Sequence, residues 1–381
     1  MEFGLTTEQL QIQSLARDVA QKELLPKAAE LDRAQVFPRE GLKKLGDLGL
    51  MGMGIPGALG GSRSDTLSYV LVIEQLARAC ASTAEILVNH TDAGAGITAG
   101  GTEELKGRYL SSLAKGEKLG AFALTEPGSG CNPMNVEATA IADGGYYVLN
   151  GVKAFVTSGG EADVYMTVVR TNPQQPGPDG QSIMVIEKGS PGFSFGTIYE
   201  RMGCRATSPG ELIFEDCRVP AANLLGTEGG YMRMMMPIGG ASQLGTAAIS
   251  LGIAQAALEA SVKYAKERLQ VGKQPLTQYQ AVKHMLADMS TVVDAARALV
   301  YGAASTTDSG PPGPPVDAAK AKLFAAEMAV EVTDRALQIH GGTGYCCDLP
   351  IERYYRDARG LTLHGLPTEM QKDHVARFIL Q

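Results

Sequence analysis

Tyr146-Tyr147-Val148-Leu149-Asn150-Gly151-Val152-Lys153-Ala154-Phe155-Val156 is the stretch on which the fold turns. Two apolar, alternating runs flank an Asn-Gly pair. Asn-Gly in that setting predicts a hairpin with its turn at 150–151. Asp143-Gly144-Gly145 marks a second turn just before it. Val164 to Val169 and Ser182 to Ile186 read as further strands. The chain is thus strand-like from about Leu119 to Leu225.

Outward from this segment the period changes from strand to helix. Thr7-Glu8 opens a run with Leu10, Ile12, Leu15, Ala16 and Val19 near helical spacing. Breaks at Gly54-Ile55-Pro56-Gly57 and Gly60-Gly61 follow. Helices are then expected over Thr66 to Ala81 and from about Ser82 to His90 or beyond. Past Gly229, helices are expected over Gly245 to Leu269, Gln280 to Thr306 and Asp317 to His340. Ser309-Gly310-Pro311-Pro312-Gly313-Pro314-Pro315 separates the last two, since no helix survives that composition. No internal repeat is present. The pattern predicts an α+β chain with an N-terminal α-helical domain (1–118), a middle β domain (119–225) and a C-terminal α-helical domain (226–381).

Composition excludes several function classes. The 381 residues exceed what one compact core holds. A formal charge of −7 leaves no large basic surface for nucleic acid. Six scattered cysteines fit reduced thiols better than a disulfide framework, and adjacent Cys346-Cys347 have the wrong spacing for a CxxC motif. The five histidines show no ligand spacing, so no metal is expected. The N-terminal stretch MEFGLTTEQLQIQS has neither signal-peptide nor transit-peptide character. No apolar run approaches the roughly 20 residues of a membrane span. A cytoplasmic location is expected.

Ala123-Leu124-Thr125-Glu126-Pro127-Gly128-Ser129-Gly130 carries the first chemical signal. Gly128, Ser129 and Gly130 can turn backbone N–H groups toward a pyrophosphate, because glycine permits close approach. Alone, the same residues also read as a plain glycine turn. Four further segments accompany them: Lys153-Ala154-Phe155-Val156-Thr157-Ser158-Gly159, Glu267-Arg268-Leu269-Gln270-Val271-Gly272, Gln338-Ile339-His340-Gly341-Gly342-Thr343-Gly344 and Glu352-Arg353-Tyr354-Tyr355-Arg356-Asp357-Ala358-Arg359. The five occur in the order, and over the span, of the motifs of the acyl-CoA dehydrogenase family, which the chain resembles.

The resemblance implies an acyl-CoA dehydrogenase-like fold with a C-terminal four-helix bundle. It implies FAD as cofactor, a CoA thioester as substrate, an electron-transfer flavoprotein or similar electron acceptor, and a homotetramer built as a dimer of dimers. Phe122 and Leu124 would line the flavin, and Thr125 would bond its pyrimidine edge. Gly130 and Cys131 belong to the phosphate-binding loop, where Cys131 replaces the usual serine and makes a poorer donor. Phe155 would cover the ring system, and the Thr157 hydroxyl would approach N5. Arg268, Gln280, Gln338 and Gly342 would reach the adenine half of an FAD in a neighbouring subunit. Val271 stands where the family has phenylalanine.

One element of the family pattern is missing. Its reaction uses a glutamate to take the α-proton while a hydride leaves for the flavin. Aligning Glu369-Met370-Gln371 with the family's sequence puts Gly365, next to His364, at that position. Some members carry the base on an earlier helix, and there this chain has Ser242 and Gln243. A wrong register near Gly365 would leave Glu369 as the substitute.

The helix that flanks the acyl chain in the family here carries Glu85 and Asp92. Seven residues put them on one helical face, about 10 Å apart. Asp92 reads as nearer the reacting end, and Glu85 as a deeper polar residue or ion-pair partner of the pocket floor. Alone, Asp92 would read as a solvated or capping acid ahead of Gly94. With both family base positions empty, it becomes the candidate catalytic base. A base moved away from the α-carbon favours a γ-proton and hence 1,4-elimination. That resembles the cyclic-diene-forming branch, the cyclohex-1-ene-1-carbonyl-CoA dehydrogenases of anaerobic aromatic metabolism. Alternatives are a desulfinase-like acyl-CoA lyase, an enoyl-CoA reductase, or a non-catalytic FAD- and CoA-binding subunit.

Overall fold

The computed structural model describes residues 4–62, 64–308 and 316–380. Its N-terminal helices are α1 (Thr7–Val19), α2 (Leu25–Ala34), α3 (Arg39–Asp47), α4 (Thr66–Ala79), α5 (Ala81–Gly100) and α6 (Glu103–Ala114). α1 starts at a capping box, where the Thr6 and Gln9 side chains each accept the other's backbone N–H. α4 starts where the Asp65 carboxylate accepts the Ser68 N–H at 2.6 Å. α5 is buried continuously from Ala81 to Gly94, even though Thr83, Glu85, Asn89, His90, Thr91 and Asp92 lie on it.

The strands are β1 (Gly120–Ala123), β2 (Thr139–Asp143), β3 (Tyr146–Val156), β4 (Val164–Arg170), β5 (Gln181–Glu187), β6 (Phe193–Ile198), β7 (Gly210–Pro220) and β8 (Leu224–Leu225). They form one sheet in the order β6-β7-β3-β2-β4-β5-β8, with β1 parallel to β4. Alternate residues face opposite cores, as a period of two demands. Met166 and Val168 meet α5 and the start of the C-terminal helices. Tyr165 packs with Met184, Phe193 and Phe214 on the far face.

The expected hairpin turn at Asn150-Gly151 is corrected by the structure. β3 runs straight through that pair, and the turn falls at Gly144-Gly145 instead. Asn-Gly makes a bulge against β7, where the register shifts between Leu149 and Gly151. The Asn150 side chain exchanges hydrogen bonds with Asp216 at 3.2 and 2.9 Å across the bulge. Gly151 has φ 137°, and a Cβ there would sit 2.7 Å from Ala138 Cβ.

The C-terminal helices are α7 (Tyr231–Glu267), α8 (Gln280–Thr307), α9 (Val316–His340), α10 (Ile351–Leu361) and α11 (Thr368–Ile379). α7 begins fourteen residues before the expected Gly245. Tyr231, Met234 and Ile238 bury against the sheet, and that packing carries the helix through Gly239-Gly240 despite their poor propensity. The expected loop Ser309–Pro315 lies outside the described residues. The two helical regions share one core, with Leu71, Ile73 and Leu76 of α4 against Leu244 and Leu251 of α7, Met289 of α8 and Ala325 of α9. α5 lies at the junction of this core with the sheet. Among the described residues, no helix is long and apolar enough to cross a membrane.

Gly151→Ala must add a methyl group against Ala138 at a positive φ. It should lower unfolding free energy by about 1–3 kcal/mol, read by urea denaturation.

Candidate active site

The two acids of α5 meet different surroundings. Glu85 is 1% exposed. Arg201, in the loop after β6, donates to both of its oxygens at 2.9–3.0 Å. The Thr157 hydroxyl, just past β3, donates to Oε1 at 3.0 Å, and His364 Nδ1 stands 3.7 Å from the same atom. Burial alone would raise this carboxyl, but Arg201 and then His364 outweigh it and hold Glu85 down to about 2. Glu85 is therefore ionised and paired, which makes it a poor proton acceptor.

Asp92 is 5% exposed, which removes the reading of a solvated capping acid. Ser242 Oγ on α7 donates to its Oδ2 at 2.8 Å. Burial pushes the carboxyl up to about 7 against that single hydrogen bond. A buried carboxylate that changes protonation near neutrality suits general-base chemistry. The α5 acid is thus bonded directly to Ser242, the residue expected at the family's alternative base position.

Gly365, the other expected base position, lies close by. Gly365 follows α10 with φ 62°, and Leu366 has φ 73°. The turn is pinned by the buried Lys322, which donates to the Leu366 carbonyl at 2.7 Å, and by Gln371 Nε2, which donates to the Gly365 carbonyl at 3.3 Å. A Cβ on Gly365 would lie 2.7 Å from Thr246 Oγ1. Thr246 in turn donates to the Ser242 carbonyl at 3.2 Å. Gly365 and Ser242, the two expected base positions, thus converge on one turn of α7. Glu369, the possible substitute, sits exposed in the first turn of α11.

Other expected site residues fall into two groups. Phe122, Leu124 and Thr125 are half-buried at the end of β1 and beyond. The loop after them is fastened to β3 by a buried ion pair, Lys153 Nζ to Glu126 Oε1 at 2.6 Å, and Glu126 also accepts the Glu137 and Ala138 N–H groups. Gly130 closes the loop with φ 61°, exchanging backbone hydrogen bonds with Glu126. Cys131 is half-buried, 4.0 Å from Met370 Sδ. Phe155 holds φ 55° and stacks on Tyr199 at 4.2 Å, yet is 56% exposed. Arg268, Gln280, Gln338 and Gly342 are exposed at the bundle end where α7 and α9 finish and α8 begins. Gln243, beside Ser242, is buried and its Oε1 has no protein partner.

Arg201, Lys322 and Thr246 escape the sequence reading. Arg201 and Thr246 stand in no local motif. Lys322 had a legible signal: it lies on the apolar stripe Ala318, Ala321, Ala325, Ala329 of α9, all buried.

The fold and site define a chain of helical, sheet and helical regions with two buried carboxyls at the junction of the sheet and the helical core. Three family models match it in order: acyl-CoA dehydrogenase N-terminal domain over residues 6–117, middle domain over 121–217 and C-terminal domain over 232–380. The chain is 45% identical to acryloyl-CoA reductase (NADH) of Anaerotignum propionicum, covering 100% of this chain and 96% of that protein. A chain solved in work on the electron transferring flavoprotein of Acidaminococcus fermentans is 41% identical with a TM-score of 0.96, and 100% of both chains is covered. Butyryl-CoA dehydrogenase from Megasphaera elsdenii is 37% identical with a TM-score of 0.95, again over 100% of both. The chain belongs to the acyl-CoA dehydrogenase family, whose members are FAD-dependent oxidoreductases acting on CH–CH bonds.

The Asp92 carboxyl, raised from 3.8 to about 7 in the fold, stabilises fully below the lower value and ceases to as pH climbs through the higher one. Asp92→Asn lacks this dependence. The stability difference between variant and parent should therefore swing toward the variant from about pH 4 to about pH 8 in urea unfolding. A difference that stays flat would contradict the buried, proton-retaining carboxyl.

Proposed function

We propose that this protein dehydrogenates a cyclic enoyl thioester, cyclohex-1-ene-1-carbonyl-CoA, by 1,4-elimination to a conjugated diene, with Asp92 as the base. The observation that carries this reading is the 2.8 Å hydrogen bond from Ser242 to Asp92. It sets a carboxylate beside an emptied base position, while Gly365 at the other offers nothing. Asp92 would take the proton acidified through the double bond, at the γ-carbon. A hydride would leave another allylic carbon of the substrate, so that one proton and one hydride depart and a second double bond forms. Without a base at the α-carbon, ordinary 1,2-dehydrogenation of saturated thioesters is disfavoured.

The residues present fit FAD. Phe155 offers an exposed aromatic face on a strained backbone, which is the kind of surface a flat ring system covers. The open Gly130 side of the 126–130 loop leaves room for a phosphate. FAD, when bound, supplies the hydride acceptor. The Thr157 hydroxyl, its proton committed to Glu85, retains lone pairs that can accept from a ring N–H. The exposed group Arg268, Gln280, Gln338 and Gly342 suits an adenine site completed by a second copy, in a homotetramer. An electron-transfer flavoprotein is the proposed electron acceptor, in keeping with the A. fermentans similarity.

The 45% identity to an acryloyl-CoA reductase favours a second reading, reduction of an enoyl thioester. The Asp92 carboxyl, protonated in part at neutral pH, would then donate rather than accept.

Anaerobic titration of the FAD-loaded protein distinguishes these. Cyclohex-1-ene-1-carbonyl-CoA should bleach the flavin, and butyryl-CoA should not. Asp92→Asn should abolish bleaching with FAD still bound. Undiminished flavin reduction in that variant, or equal bleaching by butyryl-CoA, would sink the proposal.

A further inference from the structure

Two short backbone segments beside Glu85 are folded against the preference of their residues. At the end of β3 and just past it, Phe155 and Ser158 have φ 55° and 63°. In the loop between β6 and β7, Cys204 and Ser208 have φ 47° and 48°. None of the four is glycine, so a left-handed backbone is unfavourable for each, and most of all for the bulky Phe155. Such residues persist only where surrounding contacts over-determine them, and they cluster where a protein handles a ligand.

The two segments lie against each other. The Ser158 N–H donates to the Thr207 carbonyl at 2.9 Å, and the Ser208 hydroxyl donates to the Gly159 carbonyl at 3.2 Å. Glu85 of α5 is bonded to both segments. The Thr157 hydroxyl, between the two strained residues of the first, donates to Oε1 at 3.0 Å. Arg201, ahead of the second, donates to both carboxylate oxygens at 2.9–3.0 Å, and its Nη2 also donates to the Cys204 carbonyl at 3.4 Å. Ser82, one turn earlier on α5, accepts the Ala206 N–H at 3.4 Å. What the two segments present together is an aromatic face. The Phe155 ring, 56% exposed, stacks at 4.2 Å on Tyr199, which precedes Arg201 by two residues.

We propose that Glu85 is a positioning residue for FAD, its carboxylate joining the two segments through Thr157 and Arg201 so that the Phe155 ring, backed by Tyr199, is held as the face the flavin covers. A buried ion pair seldom adds net stability over apolar side chains of the same volume, which leaves the geometry it imposes as its contribution here. A face ordered in the folded protein need not be ordered on binding, and that favours a tightly held cofactor. The proposal rests on the flavin covering Phe155 and is independent of Asp92 and of the acyl group.

Glu85→Gln removes the charge that Arg201 and Thr157 share. In the FAD-loaded variant, the dissociation constant of FAD, read from the fluorescence of released flavin, should rise by about tenfold. The visible circular dichroism of the flavin that stays bound should change. Amide hydrogen exchange should accelerate at 155–160 and 204–208, while Tyr146 to Leu149 of β3 keeps its protection. Glu85→Gln combined with Arg201→Gln leaves no lone charge and should give the same results should the single variant not fold. Glu74→Gln is the control, because it breaks another buried pair, with Arg297 at 3.3 Å between α4 and α8. It should lower stability to urea and leave FAD affinity and flavin dichroism as they are. Phe155→Ala tells failure of the positioning role from failure of the reading beneath it. Unchanged FAD affinity in Phe155→Ala overturns both, since the flavin then does not cover that ring. Weakened affinity in Phe155→Ala, with affinity and dichroism unmoved in Glu85→Gln, overturns the positioning role alone. Exchange that rises equally across the sheet in Glu85→Gln overturns it too, as a loss of stability only.

Discussion

The burial of α5 is the constraint from which the site follows. A helix enclosed on its sides cannot leave its polar side chains to water, and several of them are held by other elements. Glu85 takes Arg201 from the loop after β6 and Thr157 from the end of β3. His90 accepts the Gly120 N–H at the start of β1, at 3.1 Å. Asp92 takes Ser242 from α7. These bonds tie the N-terminal helices to both other regions of the chain. They also sort the two acids. The one given a cation stays charged, and the one given only a hydroxyl retains its proton toward neutrality.

The glycine expected at the family's base position is held by its surroundings. Gly365 stands in a left-handed turn with Thr246 against it, and the carbonyls of that turn are held by Lys322 and Gln371. A side chain at 365 would meet both a backbone penalty and a collision. Burying Lys322 completely is costly unless its ammonium is bonded, which the Leu366 carbonyl accomplishes. A charged residue in the core is thus applied to fixing this turn.

A comparable economy of means holds the loop at 126–130. The Glu126 carboxylate answers Lys153, two backbone N–H groups and the Ser129 hydroxyl at once. Breaking such a buried pair by removing one partner is worth about 3–5 kcal/mol. That network holds the loop, with open space beside Gly130, whereas a Cβ on Gly128 would meet the Glu137 carboxylate at 2.6 Å.

The sequence by itself determined the α, β, α succession, because helical and strand periods follow from where apolar residues recur. It determined the five ordered motifs and singled out Asp92 as the candidate, since these are matters of residue identity and spacing. It misread Asn150-Gly151 as a turn, because the same pair serves equally in a bulge when a third strand, β7, lies alongside. It also started α7 too late, because the burial that carries the helix through Gly239-Gly240 belongs to the sheet. Only the tertiary structure decided which acid is paired and which is not. Arg201 lies 116 residues from Glu85, and Ser242 lies 150 residues from Asp92. The protonation of a buried carboxyl depends on such distant partners, and local sequence does not carry them.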